Sequence, residues 1–167
     1  MKKRKLGNLE VNEIGLGCMG MSEFYGKTDD NESLKVLEKS FELGVNFYDT
    51  ADTYGFGHNE KLLAKFIKGK RDKLVIATKF GIKRKKEKYE RVIDNSPEYI
   101  RSSCESSLKR LGIDYIDLYY VHRLNNNYKL EETMQTLKDL VKEGKIKHIG
   151  LSEVSAKTLE KAHNIFR

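Results

Sequence analysis

Five polar residues stand where apolar runs end. "NFYDTADTYG", residues 46 to 55, runs into Asp49 and places Tyr54 five residues further on, "VIATK" ends in Lys79, "DLYYVH" in His122 and "HIGLS" in Ser152. A lysine at a low-dielectric rim needs an anion, and Asp49 can supply one. A cationic lysine beside a phenol favours the phenolate, so Lys79 is expected to lower the Tyr54 pKa from its ordinary value of about 10 and make it a proton donor near neutrality. His122 can hold a carbonyl oxygen by hydrogen bonding. The set fits proton delivery to a carbonyl under reduction. No side chain supplies a hydride, so a nicotinamide cofactor would be required.

Each residue alone has a plainer reading. Asp49 could cap the following turn, Tyr54 is one of nine tyrosines, and a strand-end lysine is often merely solvated. Of the four histidines, His58, His148 and His163 read as structural or exposed. Ser152 reads as the N-cap of the last helix, in competition with Ser155. A Schiff-base role for Lys79 at a barrel strand end is a further alternative. The case rests on the residues occurring jointly, at the ends of consecutive strands.

The elements that must position them follow from periodicity. "KRKLGNLEVNEIGLG" reads as a hairpin around Gly7-Asn8 leading into a strand, Ile14 to Gly17. Leu34, Leu37 and Phe41 recur at helical spacing up to Gly44, and Leu62, Leu63, Phe66 and Ile67 up to Gly69. Ser96 reads as an N-cap with Pro97 at the first helical position. Ile100, Cys104, Leu108 and Leu111 share one face, and Gly112 ends that helix. Leu130, Met134, Leu137 and Val141 mark the next helix, and "SAKTLEKAHNIF" a fifth. Strand and helix thus alternate five times, about 30 residues per unit, which favours a parallel sheet with right-handed crossovers. Chemistry at many successive strand ends favours a (β/α) barrel over a doubly wound sheet.

The bulk properties agree with one domain spanning residues 1 to 167. The net charge is +7, but 25 acids are interspersed among 32 bases. The one dense basic run, Lys83 to Lys88, reads as a solvated loop or else a partner-binding patch or localisation signal, without the interleaved aromatics of a single-strand nucleic-acid binder. No apolar run is long enough to span a membrane. Cys18 and Cys104 have neither a disulfide-framework nor a metal-site spacing, so a reducing cytoplasm is expected and no metal.

The segments "IGLGCMGMSEFYG", "FYDTADTYGFGHNE", "VIATKFG", "SPEYIRSSCESSLKRLGIDYIDLYYVHR" and "KIKHIGLSEVSAKTLEKAH" together resemble the aldo-keto reductase family, especially its auxin-induced-protein or pyridoxal-reductase-like branch. The resemblance implies a TIM (β/α)8 barrel entered through an N-terminal hairpin. It implies NADPH-dependent reduction of an aldehyde or ketone to an alcohol, with a tetrad of Asp49, Tyr54, Lys79 and His122. Tyr54 would be the general acid, Lys79 paired with Asp49 would tune it, and His122 would orient the carbonyl. Gly17, Cys18 and Met19 would lie under the nicotinamide-ribose end, with Asp49 beside it and Ser152 holding the carboxamide. Relatives commonly carry Arg-Val-Asp after the histidine, where this chain has Arg123, Leu124 and Asn125.

The family barrel has eight strands, and this chain stops after the fifth strand-helix unit. The expectation is therefore the N-terminal five-eighths of a barrel, incomplete or open. Lacking are the aromatic that stacks on the nicotinamide, the loop that grips the 2′-phosphate and part of the substrate wall. A fragment, a half-barrel completed by another chain and a degenerate remnant are the alternatives. The isolated chain is expected to bind NADPH weakly and to self-associate through its sheet edges. The functional alternative is an inactive or regulatory binding module of the same fold.

Overall fold

Gly7 takes a left-handed φ of 61°, which lets β1 (Lys3–Leu6) fold back antiparallel on β2 (Leu9–Asn12). A computed structural model of the chain describes residues 1–85 and 88–166. The hairpin docks through Asn12, whose backbone N–H donates to Asn46 Oδ1 at 2.8 Å and whose side-chain amide reaches Gly44 O. Both acceptors lie on the turn that ends the first helix, so the hairpin packs at the end of the sheet opposite Asp49.

The central sheet is parallel, in the order β3 (Gly15–Gly17), β4 (Phe47–Asp49), β5 (Val75–Phe80), β8 (Ile116–Val121), β9 (Ile146–Leu151). Sequential neighbours are joined by α1 (Asp30–Glu42), α2 (His58–Ile67), α3 (Pro97–Leu111) and α4 (Leu130–Lys142), and α5 (Ala156–Phe166) follows β9. β5 is buried along its whole length, whereas β3 and β9, at the two ends of the order, are largely half-exposed or exposed. The continuous apolar centre of "VIATKF" follows from that burial on both faces. No helix among the described residues is long and apolar enough to cross a membrane.

Two apolar clusters join sheet to helices. Leu37, Tyr48, Leu63, Phe66 and Ile76 fill the space under α1 and α2. Ile100, Cys104, Ile116, Tyr119 and Leu137 fill that under α3 and α4. β9 approaches β8 closely because Gly150 pairs with Tyr120, where a Cβ would collide with the tyrosine ring.

Local signals act as read at most helix ends. Ser96 Oγ accepts from the Tyr99 N–H at 3.4 Å, Pro97 opens α3, and Gly112 closes it at φ 65°. Asp29 caps α1 by accepting from the N–H groups of Asn31 and Glu32. Two expectations are corrected. Ser155, not Ser152, caps α5, with its Oγ accepting from the Thr158 N–H at 3.1 Å. Ser152 N–H instead extends the ladder to Val121 O, 3.0 Å away, one residue beyond the strand. The basic run is not wholly a loop either. Lys83 and Arg84 belong to β6 (Ile82–Lys85), which pairs antiparallel with β7 (Lys88–Ile93). Lys86 and Glu87 lie outside the described residues. The hairpin is defined by pairing rather than by an apolar period, so the charge run hid it.

Removing the Ser155 hydroxyl should therefore loosen the first turn of α5 by about 1 kcal/mol, roughly a fivefold loss of amide protection. In hydrogen exchange, Ser155→Ala is expected to show this loss at the α5 amides and Ser152→Ala is not.

Candidate active site

The strand ends are fixed by ladder bonds that continue past the strands. Cys18 N–H donates to Asp49 O at 2.8 Å, Thr50 N–H to Ala77 O at 2.9 Å, Asp52 N–H to Lys79 O at 3.1 Å and His122 N–H to Phe80 O at 2.8 Å. Parallel strands in register carry their last side chains to one rim. There the structure brings Asp49, Tyr54, Lys79, His122 and Ser152 around a cleft of about 440 Å³.

Lys79 is the centre of the group. Its ammonium, on a residue only 8% exposed, donates to Asp49 Oδ1, to Thr50 O at 2.8 Å and towards Tyr54 Oη at a long 3.5 Å. All the donors of this nitrogen are directed at protein oxygens, which leaves it poorly placed to attack a carbonyl and disfavours the Schiff-base reading of Lys79. The His122 ring meets the Tyr54 ring edge-on, with centroids 5.8 Å apart.

Tyr54 is delivered by an unusual turn. Gly55, Phe56 and Gly57 all have positive φ, at 56°, 55° and 86°. A positive φ is strained for Phe56, and contacts on both sides hold it. The Arg84 guanidinium lies 4.5 Å over the Phe56 ring and donates to Thr53 O at 3.1 Å. Gly57 sits against Arg110, whose Cδ would be 2.7 Å from a Cβ at that position. Arg110 is in turn fixed by Glu60, a fully buried carboxylate that also accepts from Thr78, the neighbour of Lys79. Asn59 ties the same region to β3, accepting from Thr50 Oγ1 and donating to Cys18 O at 2.8 Å. His58 bridges the Ser22 hydroxyl and Asp30.

The electrostatics correct one expectation. Burial pushes the Tyr54 phenol up to about 12, with the Asp49 carboxylate adding to the rise. The phenol is not made acidic, because burial disfavours the phenolate and the carboxylate that attracts Lys79 opposes it further. Burial likewise raises Asp49, with the Lys79 ammonium pulling it back. His122 is pushed down to about 3 by burial, then by the charges of Lys79, Arg123 and Arg91. Near neutral pH, then, Tyr54 carries its proton and His122 is uncharged.

The expected cofactor-contacting residues separate into two groups. Met19, Asp49 and Ser152 line the cleft. Gly17 is exposed beside it, with open space where a Cβ would be. Cys18 is fully buried in the core, and its N–H and C=O are already committed to Asp49 and Asn59. It is a packing residue. The Ser152 hydroxyl, met only by Arg123 at 3.3 Å among the described residues, is available to a ligand, whereas His122 Nδ1 is buried with no partner among those residues. Sequence reading missed Glu23, Arg84 and Arg91 as cleft residues. Arg84 and Arg91 lie on the hidden hairpin, and Glu23 carries no local signal beyond its pairing with Arg84.

The model of the aldo/keto reductase family matches residues 13–167. The chain belongs to that family. It is 44% identical over 165 residues to aldo-keto reductase yakc [NADP(+)] of Schizosaccharomyces pombe, covering 98% of this chain and 48% of that protein. It is 47% identical to probable aldo-keto reductase 1 of Glycine max, over 96% of this chain and 47% of the relative. An aldo-keto reductase of Bacillus halodurans in its holo form superposes with a TM-score of 0.88 at 36% identity, over 96% of this chain and 53% of that one. The chain thus spans about half the length of the curated relatives it matches. Its five parallel strands and N-terminal hairpin correspond to part of the family's TIM barrel.

A second buried carboxyl lies behind the rim. Asp52 accepts from Ser103 at 3.0 Å and Tyr99 at 3.4 Å through Oδ2, while Oδ1 has no partner among the described residues. Burial, then the Glu60 carboxylate, raise it to about 7. Its folded pKa lies above its unfolded value. Its contribution is therefore fully present below about pH 4 and is lost as pH rises through about 7, by up to roughly 4 kcal/mol. Denaturant unfolding at about pH 4 and about pH 8, either side of the window, should show Asp52→Asn relatively stabilised at the higher pH, with a flatter pH dependence than the parent.

Proposed function

We propose that this chain carries the carbonyl-reducing centre of an NADPH-dependent reductase, converting an aldehyde or ketone to an alcohol. The observation that carries the reading is the placement of Tyr54 Oη 3.5 Å from the Lys79 ammonium and against the His122 ring in one cleft. We place it nearest the auxin-induced-protein or pyridoxal-reductase-like branch on its motifs. The NADP(+) in the name of the yeast relative supports the cofactor. Both cysteines are free and buried, in keeping with a cytoplasmic setting.

When bound, the nicotinamide supplies a hydride to the carbonyl carbon. Ser152 would hold its carboxamide, with Met19 and Gly17 beneath the ring and ribose. Neutral His122 orients the substrate oxygen by donating a hydrogen bond from its protonated ring nitrogen. Tyr54, protonated at neutral pH, stands ready beside that oxygen. As negative charge develops there, the oxygen becomes more basic than a phenolate, and the Tyr54 proton moves to it. The Lys79 ammonium stabilises the phenolate left behind, and Asp49 keeps that ammonium in place. A high resting pKa is thus compatible with the role: the donor must hold its proton until the acceptor has become the stronger base.

Tyr54→Phe is expected to lower the rate of NADPH oxidation with a test aldehyde by about 100- to 10,000-fold, while NADPH fluorescence titration gives an unchanged affinity. Carbonyl reduction persisting at the parental rate would remove Tyr54 from the reaction. Because Tyr54 titrates near 12 and His122 near 3, the chemical step should be flat between about pH 5 and 9. A pH–rate profile with a limb near 7 would contradict those protonation states.

A further inference from the structure

The cleft is lined by four cationic side chains and three carboxylates. Each carboxylate is taken. Asp49 holds Lys79, Glu23 receives Arg84 through both oxygens at 2.8 Å, and Glu153 receives Arg123 at 2.6 Å. The remaining cation is Arg91. It is exposed at the cleft wall, and makes no ion pair with any described residue. Its charge reaches the interior of the cleft, since it helps hold His122 neutral.

The backbone that carries Arg91 is anchored. On β7 it stands directly opposite Arg84, which is fixed to Glu23. Two residues on, Ile93 O accepts from Asn125 Nδ2 at 2.8 Å, and Asn95 Oδ1 accepts from the Asn125 N–H at 2.8 Å. Lys83, on the other hairpin strand, pairs with Asp94. Asn125 is one of the positions where this chain departs from the family pattern, and here it fastens the loop after His122 to the hairpin. A guanidinium with no carboxylate partner among the described residues, on a pinned strand at the mouth of a site with one neutral hydrogen-bonding histidine, is suited to an anion. Its flat fork favours a carboxylate or phosphate.

We propose that Arg91 is a specificity-determining residue that selects carbonyl substrates bearing an anionic group, a keto acid or aldehyde acid rather than a neutral carbonyl. The inference rests on the carbonyl-reducing reading of the cleft. The substrate's carbonyl oxygen lies between Tyr54 and His122, and its carboxylate extends to the hairpin.

The test compares two ketones of matched shape, levulinate and methyl propyl ketone, which differ by a carboxylate in place of a methyl group. Binding to the 167-residue chain is followed by titration of the His122 ring resonances. The parent is expected to bind levulinate roughly tenfold more tightly. Arg91→Gln should erase that preference, measured against methyl propyl ketone as reference, and Arg91→Lys should keep part of it. A parallel NADPH titration separates the two sources of anion: unchanged NADPH affinity in Arg91→Gln supports a substrate anion. Weakened NADPH binding with the ketone preference intact assigns Arg91 to the cofactor and overturns the proposal. Equal binding of both ketones by the parent overturns the proposal alone, leaving the carbonyl reading in place. If neither ketone moves the His122 resonances, the carbonyl reading fails and the proposal with it.

Discussion

The buried ammonium of Lys79 constrains everything around it. Removing such a charge from water costs several kcal/mol unless it is paired and fully hydrogen-bonded, and deleting a buried partner typically costs about 3–5 kcal/mol. Asp49 and Thr50 O meet that demand from the end of β4. The positions of β4 and β5 are therefore locked together by electrostatics as well as by their ladder. Tyr54 and His122 complete the enclosure, so the feature that stabilises the rim also gathers the reactive groups. The same pairing limits the chemistry, because an ammonium already neutralised by Asp49 cannot make a buried phenol acidic. Tyr54 therefore carries its proton at neutral pH.

Behind the rim is a second layer that holds the Tyr54 turn in place. Three successive left-handed residues after Tyr54 would not hold their shape unaided, since Phe56 has no conformational reason to be there. Arg84 above Phe56, Arg110 against Gly57 and Glu60 linking Arg110 to Thr78 supply the restraint. Glu60 is fully buried and would be costly alone; its hydrogen bond to Thr78 and pairing with Arg110 make it tolerable. The turn that aims the tyrosine is thereby connected to α2, α3 and the strand of the lysine. A change at Arg110, in the helix layer, would reach Tyr54 through the three-residue turn that ends at Gly57.

The hairpin between β5 and α3 plays a different part. It adds nothing to the central sheet, yet it supplies Ile82, Arg84 and Arg91 to the cleft wall. The strand ends deliver Asp49, Lys79 and His122, while this appended piece adds cationic side chains to the same cleft. Division of labour between a rigid parallel core and an excursion at its C-terminal rim is what the barrel architecture permits.

Much of this was legible in the residues alone. Short apolar runs alternating with helical 3.6-residue spacing, with Ser96, Pro97 and Gly112 bounding one helix, determined the five repeating units, because those signals act through local backbone geometry. The strand-end positions of Asp49, Lys79 and His122 determined that they would meet, since parallel strands in register share one rim. Other features needed the tertiary structure. Whether Ser152 or Ser155 caps α5 depends on which serine the ladder with β8 has already engaged. The burial of Cys18 depends on helices distant in sequence. The β6–β7 hairpin depends on pairing between two charged segments with no apolar rhythm to announce it. The proton affinity of Tyr54 depends on a sum of opposing fields, in which burial and Asp49 outweigh the nearby cations. Periodicity is written residue by residue along the chain; pairing, burial and electric field are sums over neighbours that only folding brings together.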